Sequence, residues 1–308
     1  MLNMDLPPFR PPNEANSALV RATRGCPWNR CMFCTMYTDV KFEIRPLDDV
    51  LRDIDEAARS WPGARSVFIA DSDSLVRKDI CEVLQHIRKK FPDAERVTSY
   101  ARSRTLAALG PGKLAAIREA GLSRVHVGLE SGDPVTLARM CKGSTPEIMV
   151  KGARAARAAG LEVSFYVLVG AGGPDRLLEH AVASAEVCNA AAPDHIRMRT
   201  LVIERGSRLE TMAREGGFAT TTPLEKLTEV RTFVEHLDGL VCEFSSDHFA
   251  NHIWIAGEIA YDGVFGLLPT DRERMLAKLD AAIERVENPS GDVVDVTVLN
   301  DRGLVGHL

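Results

Sequence analysis

Residues 18–37 read ALVRATRGCPWNRCMFCTMY, a short apolar segment that runs into a loop with three cysteines. The apolar part, residues 19–23, predicts a strand. Cys26, Cys31 and Cys34 follow it within nine residues at the spacing C-x4-C-x2-C. Because a loop of Arg, Pro, Trp and Asn offers no apolar pocket for three core cysteines, the thiols indicate a bound metal centre.

Two kinds of metal centre are compatible with this loop. Soft thiolate ligands on a short loop suit a cubane iron–sulfur cluster, in which each cysteine binds a separate iron. Three ligands for four irons leave one iron open to a small molecule with nitrogen and oxygen donors. A zinc site would need a fourth ligand with its own spacing, and no second CxxC pair follows the loop. The pattern favours the cluster, with zinc or unconnected thiols as the alternatives.

The rest of the chain alternates short apolar runs with amphipathic segments. Repeated strand–helix units predict parallel strands with right-handed crossovers. We therefore predict an α/β fold, an open partial (β/α)6 TIM-like barrel. The predicted strands are 19–23, 66–70, 96–100, 124–129, 162–169 and 195–202. The predicted helices between them are 47–60, 79–91, 113–120, 148–159 and 177–191.

Three regions are expected along the chain. Residues 1–17 are polar and rich in proline and predict an N-terminal arm. Residues 18–239 form the predicted barrel core. Residues 240–308 predict a mainly helical C-terminal extension that closes or covers the barrel. Two more helices are predicted at 222–237 and 271–286, and residues 293–299 alternate like a short strand or a docked tail.

Composition and charge narrow the classes of function. The 308 residues include 43 acidic and 38 basic side chains, so the net charge of −5 argues against a nucleic-acid partner. No apolar run reaches the ~18–20 residues of a membrane span. The first 17 residues contain four prolines and no apolar stretch, unlike a secretory signal. We expect a cytoplasmic protein whose seven cysteines are reduced thiols or metal ligands.

Polar side chains follow the predicted strands where a βα barrel carries its catalytic groups. Asp71 and Asp73 follow the second strand, and Tyr100 and Arg102 follow the third. Glu130 ends the fourth strand among glycines. We predict that these side chains line a cofactor pocket, where an arginine suits a carboxylate and a carboxylate suits an ammonium or hydroxyl group. Capping of the following helices is the alternative role.

Later strands add two candidates for the same pocket. Arg199 alternates with apolar residues on the sixth strand, so it faces one side of the sheet, and a buried arginine there would need an anionic partner. Gly170 opens a glycine-rich turn after the fifth strand, where the backbone can approach a planar ring closely.

The C-terminal extension contains a second group of reactive side chains. Cys242, Asp247 and His248 are the predicted substrate-facing residues. His248 and His252 are four residues apart, so on a helix they would share one face. A second metal site and an ordinary structural role for the histidines are the alternatives.

The sequence resembles the radical S-adenosylmethionine (radical SAM) superfamily, in particular its elongator-type and coproporphyrinogen-dehydrogenase-like branch. Phe33 in CMFC occupies the position of that family's aromatic residue, which lies beside the adenine of SAM. HVGLESGDP (126–134) is similar to its GLESG segment. FYVLVGAGG (165–173) and RMRTLVIERGS (197–207) resemble its fifth and sixth strands with their turns.

The resemblance implies two cofactors and one type of reaction. Cys26, Cys31 and Cys34 would bind a 4Fe-4S cluster, and SAM would bind at its open iron. Reductive cleavage would give a 5′-deoxyadenosyl radical that acts on a small polar substrate, in a lyase or transferase reaction. The electron would come from a donor such as flavodoxin or ferredoxin. No membrane partner is implied.

Two departures from the family pattern bear on the reaction. The first gap in the cysteine motif holds four residues instead of three, and ADSDS (70–74) stands where the family has Gly-Gly-Glu. Residues 27–29 can absorb the extra residue as a bulge. Alternatively, the loop tilts SAM, which would give a 3-amino-3-carboxypropyl radical for transfer to an acceptor such as trivalent arsenic and would release methylthioadenosine. A tRNA-modifying enzyme and a non-enzymatic iron–sulfur protein are the remaining alternatives.

Overall fold

The structure, a computed structural model, describes residues 9–304. Its strands are β1 (Ala18–Arg21), β2 (Thr23–Arg24), β3 (Glu43–Ile44), β4 (Ser66–Ala70), β5 (Arg96–Tyr100), β6 (Arg124–Glu130), β7 (Glu162–Val169), β8 (His195–Thr200), β9 (Cys242–Ser245), β10 (Ile253–Ile255), β11 (Glu258–Tyr261), β12 (Phe265–Leu268) and β13 (Val293–Asp295). Its α-helices are α1 (Leu47–Ser60), α2 (Ile80–Lys90), α3 (Ser103–Ala120), α4 (Pro134–Arg139), α5 (Pro146–Ala158), α6 (Leu177–Ala191), α7 (Arg208–Arg214), α8 (Pro223–Glu235), α9 (Arg272–Glu287) and α10 (Val296–Asp301).

Eight strands form the main sheet in the order β1-β4-β5-β6-β7-β8-β9-β12. The pairs β1–β4, β4–β5, β5–β6 and β8–β9 are parallel, and β12 is antiparallel to β9 at the edge. The first six strands of this order are the six strands that the sequence predicts, and helices follow them as expected. The α/β class is therefore confirmed.

The hydrophobic pattern explains why these segments form strands and helices. All five residues of β4 are buried, as expected for a central strand that is covered on both faces. In α2, the buried residues Ile80, Val83, Leu84 and Ile87 recur at steps of three and four. This spacing places them on one helix face, which packs inward while the charged residues of α2 face water.

The chain divides into two compact units. The first comprises the chain up to Asn29, Met36–Val127 and Lys151–Ser164. The second comprises Arg30–Thr35, Gly128–Val150 and the chain from Phe165 onward. The division passes through β6 and β7, so each unit contains part of both strands. The division of the chain into regions 1–17, 18–239 and 240–308 was inferred from the sequence pattern, and it stays a prediction.

The described part of the N-terminal arm is anchored in the first unit by Glu14. Residues 1–8 of the predicted arm lie outside the described residues. Glu14 is fully buried; its carboxylate lies 3.1 Å from His126 Nε2 and accepts a hydrogen bond from Ser17 Oγ. Burial raises the pKa of Glu14, but the hydrogen bonds from His126 and Ser17 outweigh it and lower the pKa to about 2. The carboxylate is therefore ionised and paired inside the protein.

The region from residue 240 contains more strand than the expected mainly helical extension. It holds β9 to β13 as well as α9 and α10; β9 and β12 extend the main sheet, and β11-β10-β13 form a second one. Ala256 and Gly257, both with positive φ, join β10 to β11 in a two-residue hairpin turn. Ala-Gly is not one of the usual sequence signals for this turn, so the sequence pattern does not predict the β10–β11 hairpin. The alternating segment at 293–299 is a strand only as far as Asp295. The Asp295 side chain caps the N-terminus of α10, so the chain continues as a helix.

The exposed edge of the main sheet is blocked by side chains. The Leu267 amide donates to Asp271 Oδ2 at 2.8 Å, and Arg274 donates to the Phe265 carbonyl at 3.0 Å. These bonds occupy backbone groups that an edge strand would otherwise offer to another chain. Between residues 9 and 304, no helix is both long enough and apolar enough for a membrane crossing.

Candidate functional site

The first half of the cysteine loop belongs to the first unit. The Asn29 amide donates to Cys26 Sγ at 3.4 Å, and Asn29 Nδ2 donates to the Tyr37 carbonyl at 2.5 Å. Asn29 has a φ of 44°, a left-handed conformation that asparagine tolerates well. The short pair β2–β3 brackets the loop at either end. The turn around Cys26 is thus held by hydrogen bonds on both sides.

The second half of the loop belongs to the second unit and is anchored through its backbone. The Met32 amide donates to the Met140 carbonyl at 3.0 Å, and the Met32 carbonyl accepts from the Leu209 amide at 2.8 Å. Arg208 donates to the Cys31 carbonyl at 3.4 Å. Phe33 packs on an apolar cluster formed by Met140, Leu201, Leu209 and Phe218. The aromatic residue therefore helps to fix the loop in addition to its expected place beside adenine.

The three thiols themselves fit a metal cluster. Cys26, Cys31 and Cys34 are half-buried, and none of the seven cysteines forms a disulfide. The donor set is three soft thiols on a loop whose backbone is held by neighbouring segments. That chemistry suits an iron–sulfur cluster, and these residues would hold it.

The segment after β4 braces the cysteine loop within the first unit. Asp71 is buried; its carboxylate lies 3.1 Å from Arg21 Nε and accepts from the Tyr37 hydroxyl at 3.3 Å. Ser72 Oγ donates to the Gly25 carbonyl at 3.0 Å. Burial, followed by the Asp71 charge, raises the pKa of Tyr37, so its hydroxyl stays protonated. The structure therefore commits Asp71 to an internal network with Arg21 and Tyr37.

Asp73 is the second carboxyl of this segment. It is fully buried and accepts a hydrogen bond from Thr105 Oγ1 at 2.5 Å. Burial raises its pKa to about 7, against the lowering effects of the Thr105 hydrogen bond and the Arg102 charge. Asp73 therefore holds its proton to a higher pH than an exposed carboxyl group does.

The two candidates at the end of β5, Tyr100 and Arg102, contact different groups in the first unit. The Tyr100 ring packs edge-on against Phe68 at 5.2 Å and against His126 at 6.0 Å between centroids. The Arg102 guanidinium lies 5.2 Å from the centroid of the Trp28 ring. This cation–π contact joins the end of β5 to the cysteine loop, because Trp28 lies between Cys26 and Cys31.

Glu130 is held at the end of β6 by a lysine that the sequence analysis missed. In the second unit, Lys142 Nζ donates to Glu130 Oε1 at 2.8 Å, and both side chains are partly exposed. Glu130 has a φ of 62°, which turns the backbone sharply. A Cβ on Gly128 would lie 2.1 Å from Glu130 Oε1. Gly128, the first glycine of GLESG, therefore leaves room for the Glu130 carboxylate.

Gly170 turns the chain after β7, and a buried carboxylate binds its backbone. Gly170 has a φ of 85°, and a Cβ there would lie 2.8 Å from Thr221 Oγ1. Its amide donates to both carboxylate oxygens of Glu229 at 3.0 Å. The position thus requires glycine, and its N–H already has a partner within the second unit.

Arg199 and His248 meet at the end of β8. The Arg199 guanidinium lies against His248 Nε2, and His248 Nδ1 accepts a hydrogen bond from the Ala250 amide at 3.1 Å. Burial and the Arg199 charge lower the pKa of His248 to about 4. His248 is therefore uncharged at neutral pH, and two candidates that the sequence analysis treats separately lie side by side. Phe249 beside it packs on His252 and Trp254.

The other two candidates of the extension lie in different surroundings. Cys242 in β9 is buried, and burial raises its pKa to about 12, so it is a neutral thiol. Asp247 is exposed and accepts a hydrogen bond from Ser245. Within residues 9–304, no three His, Cys, Asp or Glu side chains are arranged to hold a single metal ion; this includes the three loop cysteines, each of which would bind a separate iron of a cluster.

Comparison with known proteins identifies the family. A sequence profile described as the Radical SAM superfamily matches residues 20–183, more than half of the chain. The chain belongs to the radical SAM superfamily. Members of this superfamily bind a 4Fe-4S cluster and SAM, as the cysteine loop predicts.

Individual relatives of this radical SAM protein are distant. It is 22% identical over 214 residues to the uncharacterized methyltransferase PH0819 of Pyrococcus horikoshii. This match covers 69% of the present chain and 45% of that protein. It is 27% identical over 158 residues to GTP 3′,8-cyclase of Petrotoga mobilis. This match covers 50% of the present chain and 47% of that protein. The chain thus spans less than half the length of either curated relative.

Solved structures agree on the fold. Coproporphyrinogen III oxidase (HemN) from Escherichia coli superposes with a TM-score of 0.52 and 15% identity. The match covers 72% of this chain and 52% of that one. At this identity the likeness shows a shared radical SAM fold.

Proposed function

We propose that the protein is a radical SAM enzyme that cleaves SAM reductively and directs a 5′-deoxyadenosyl radical to a small polar substrate. The proposal rests on one observation above all. Three half-buried thiols, free of disulfides, lie on a loop that is anchored through Asn29, Met32 and Phe33. When bound, the cluster supplies the electron that breaks a carbon–sulfur bond of the sulfonium.

The chain's own residues bind and orient the nucleotide in this proposal. Phe33 offers an apolar surface to the adenine. Glu130, held by Lys142, offers a carboxylate to the ribose hydroxyls or to the ammonium group of SAM. Arg102, stacked on Trp28, is the candidate partner for the carboxylate of SAM. Tyr100 and the buried Asp73, both in the first unit, are the remaining candidates for contact with SAM.

We infer that the substrate is recognised by the cluster at the end of β8. Arg199 supplies a positive charge and His248 a neutral imidazole at neutral pH. Asp247 is exposed beside them and can bind a cationic or hydroxyl group of the substrate. The burial of Cys242 favours a packing role over a catalytic one.

A second candidate is transfer of a 3-amino-3-carboxypropyl group, with release of methylthioadenosine. The specific observation in its favour is the engagement of Asp71 by Arg21 and Tyr37. Because this carboxylate is occupied within the protein, the ADSDS segment offers SAM a different surface from a segment with a free acid. A different pose of SAM would place another carbon–sulfur bond next to the cluster.

The test is product analysis with anaerobically reconstituted protein. After incubation with dithionite and SAM, mass spectrometry should detect 5′-deoxyadenosine. Methylthioadenosine in its place would support the second candidate, and intact SAM would contradict both. Cys31→Ala should abolish cleavage, whereas Cys141→Ala, which removes an exposed cysteine outside the loop, should leave it unchanged.

A further inference from the structure

Four buried side chains of the second unit lie in contact with one another between two turns. Ser131 Oγ lies 2.7 Å from His180 Nδ1, and His180 Nε2 lies 3.2 Å from Glu229 Oε1. Ser184 Oγ lies 3.4 Å from His180 Nδ1. All four are essentially inaccessible to water. Ser131 directly follows Glu130, and Glu229 binds the Gly170 amide.

The direction of these hydrogen bonds follows from their partners. His180 Nε2 faces two acceptors, the Leu168 carbonyl at 3.2 Å and the Glu229 carboxylate, so it carries a hydrogen. Ser131 Oγ already accepts from the Asp133 amide at 2.9 Å, so its hydroxyl hydrogen is free to donate to His180 Nδ1. His180 therefore accepts a hydrogen bond from the turn after β6 and donates one to the Leu168 carbonyl near the end of β7, and its Nε2 also lies 3.2 Å from the carboxylate that holds the turn after β7.

Close packing around helix α6 keeps these side chains in place. A Cβ on Gly132 would lie 2.1 Å from the Ala183 carbonyl, and the Gly132 amide donates to Ser184 Oγ at 2.8 Å. A Cβ on Gly172 would lie 2.8 Å from His180 Cβ. Both turns therefore touch the same face of α6, where His180 and Ser184 lie one helical turn apart. Buried polar groups this well satisfied tend to fix one arrangement.

We propose that His180, together with Ser131 and Glu229, is a positioning relay that fixes the turn at Glu130 relative to the turn at Gly170 and so sets the affinity for SAM. The inference rests on the proposed function, because it takes both turns to contact the nucleoside. None of the three side chains is exposed, so each acts through the backbone that it holds. Breaking the relay at one end should loosen the other end.

The first experiment needs no cofactor. Hydrogen–deuterium exchange of the cluster-free protein should show faster exchange at the Gly170 amide in Ser131→Ala, by about tenfold, although Ser131 makes no hydrogen bond to Gly170. A purely local role for Ser131 would leave the Gly170 amide unchanged, and that result would overturn the relay. His180→Gln should have a larger effect on exchange at the Gly170 amide. If the glutamine variant does not fold, Ser131→Ala still tests the relay, because it removes only one hydroxyl group.

The second experiment measures SAM binding by calorimetry on the reconstituted protein. Ser131→Ala and Glu229→Gln should each raise the Kd for SAM about tenfold, and the double variant should be no weaker than the worse single one. The matched control is Ser246→Ala. Ser246 is an equally buried serine that bonds Tyr261 and the Val264 backbone, away from both turns. It should lose comparable thermal stability and keep its Kd within twofold.

The outcomes separate the relay from the function on which it rests. A wild-type protein that does not bind SAM would contradict the proposed function, and the exchange experiment would still decide the coupling. Wild-type binding combined with an unchanged Kd in folded Ser131→Ala and Glu229→Gln would overturn the positioning role alone.

Discussion

The Nε atom of Arg21 lies 3.1 Å from the Asp71 carboxylate, and both side chains are buried in the first unit. Arg21 ends β1 and Asp71 follows β4, so the pair joins two neighbouring parallel strands at their C-terminal ends. The Tyr37 hydroxyl, just beyond the third cysteine, completes the network. A buried ion pair therefore supports the backbone from which the cluster ligands project.

Removal of one partner of this pair should be costly. We expect Asp71→Asn to lower the free energy of unfolding by ~3–5 kcal/mol, because it removes a carboxylate charge that lies against the buried guanidinium of Arg21. Urea unfolding of the cluster-free protein measures this loss. The control is Glu95→Gln, which breaks the exposed pair with Arg65 and should cost less than about 1 kcal/mol. Equal effects of the two substitutions would contradict a supporting role for the buried pair.

Asp73 should make stability depend on pH in a defined direction. Burial raises its pKa to about 7 in the folded protein from the ordinary value of 3.8, so the folded state retains a proton that the unfolded state loses. This contribution to stability is complete below about pH 4 and is lost as the pH rises towards 7, by about 1.4 kcal/mol per unit of pKa difference.

Comparison with Asp73→Asn isolates this effect. We expect the variant to gain stability relative to the wild type between pH 4 and pH 7 and to hold a constant difference above pH 7, in chemical unfolding measured across the range. A difference that does not change between pH 4 and pH 8 would show that Asp73 has an ordinary pKa.

His248 should titrate abnormally, partly because of Arg199. Burial and the arginine lower its pKa to about 4, so its contribution to stability is present above about pH 6.5 and is lost as the pH falls towards 4. In Arg199→Gln, the pKa of His248 should rise, because the Arg199 charge is one of the causes that lower it. An NMR titration of the imidazole C–H signal measures it. Arg197→Gln, on the same strand but paired with the exposed Glu243, should leave the His248 midpoint in place.

Gly128→Ala should disturb Glu130 without unfolding the protein. The added Cβ would lie 2.1 Å from Glu130 Oε1 and 2.8 Å from Lys142 Nζ, so the ion pair must shift. We expect SAM affinity to fall by about tenfold in the reconstituted protein. Gly112→Ala is the control, since no atom lies within 4 Å of its Cβ and the position is helical. If both variants bind SAM equally well, Glu130 does not contribute to the pocket as proposed.

Local patterns were enough to predict most of the fold. The six strands were located within two residues of their ends. Buried parallel strands such as β4 and β7 read as apolar runs, and β8 alternates apolar and polar residues. Helix α3 begins at Ser103, ten residues before the predicted start, because Gly110 and Pro111 resemble a helix stop. Gly110 does leave the helical conformation, with a φ of 68°, and the segment is kinked there.

The site was predictable only where chemistry is local in sequence. The cysteine spacing and the strand-end position of Glu130 are visible in short windows. The partners that hold the site residues in place are not visible in such windows, because they lie far away in sequence. Arg21 and Asp71 are fifty residues apart, and Glu229 lies 59 residues beyond Gly170. One signal was available for the relay: His180 and Ser184 are polar residues on the face of α6 that packs inward.

The state of the reconstituted cluster tests the central claim most directly. Electron paramagnetic resonance of the dithionite-reduced protein, recorded before and after addition of SAM, reports whether one iron is open to the nucleotide. The account predicts about four irons and four sulfides per chain and a reduced-cluster signal that changes when SAM binds. A protein that takes up no iron, or a cluster signal that SAM leaves unaltered, would contradict it.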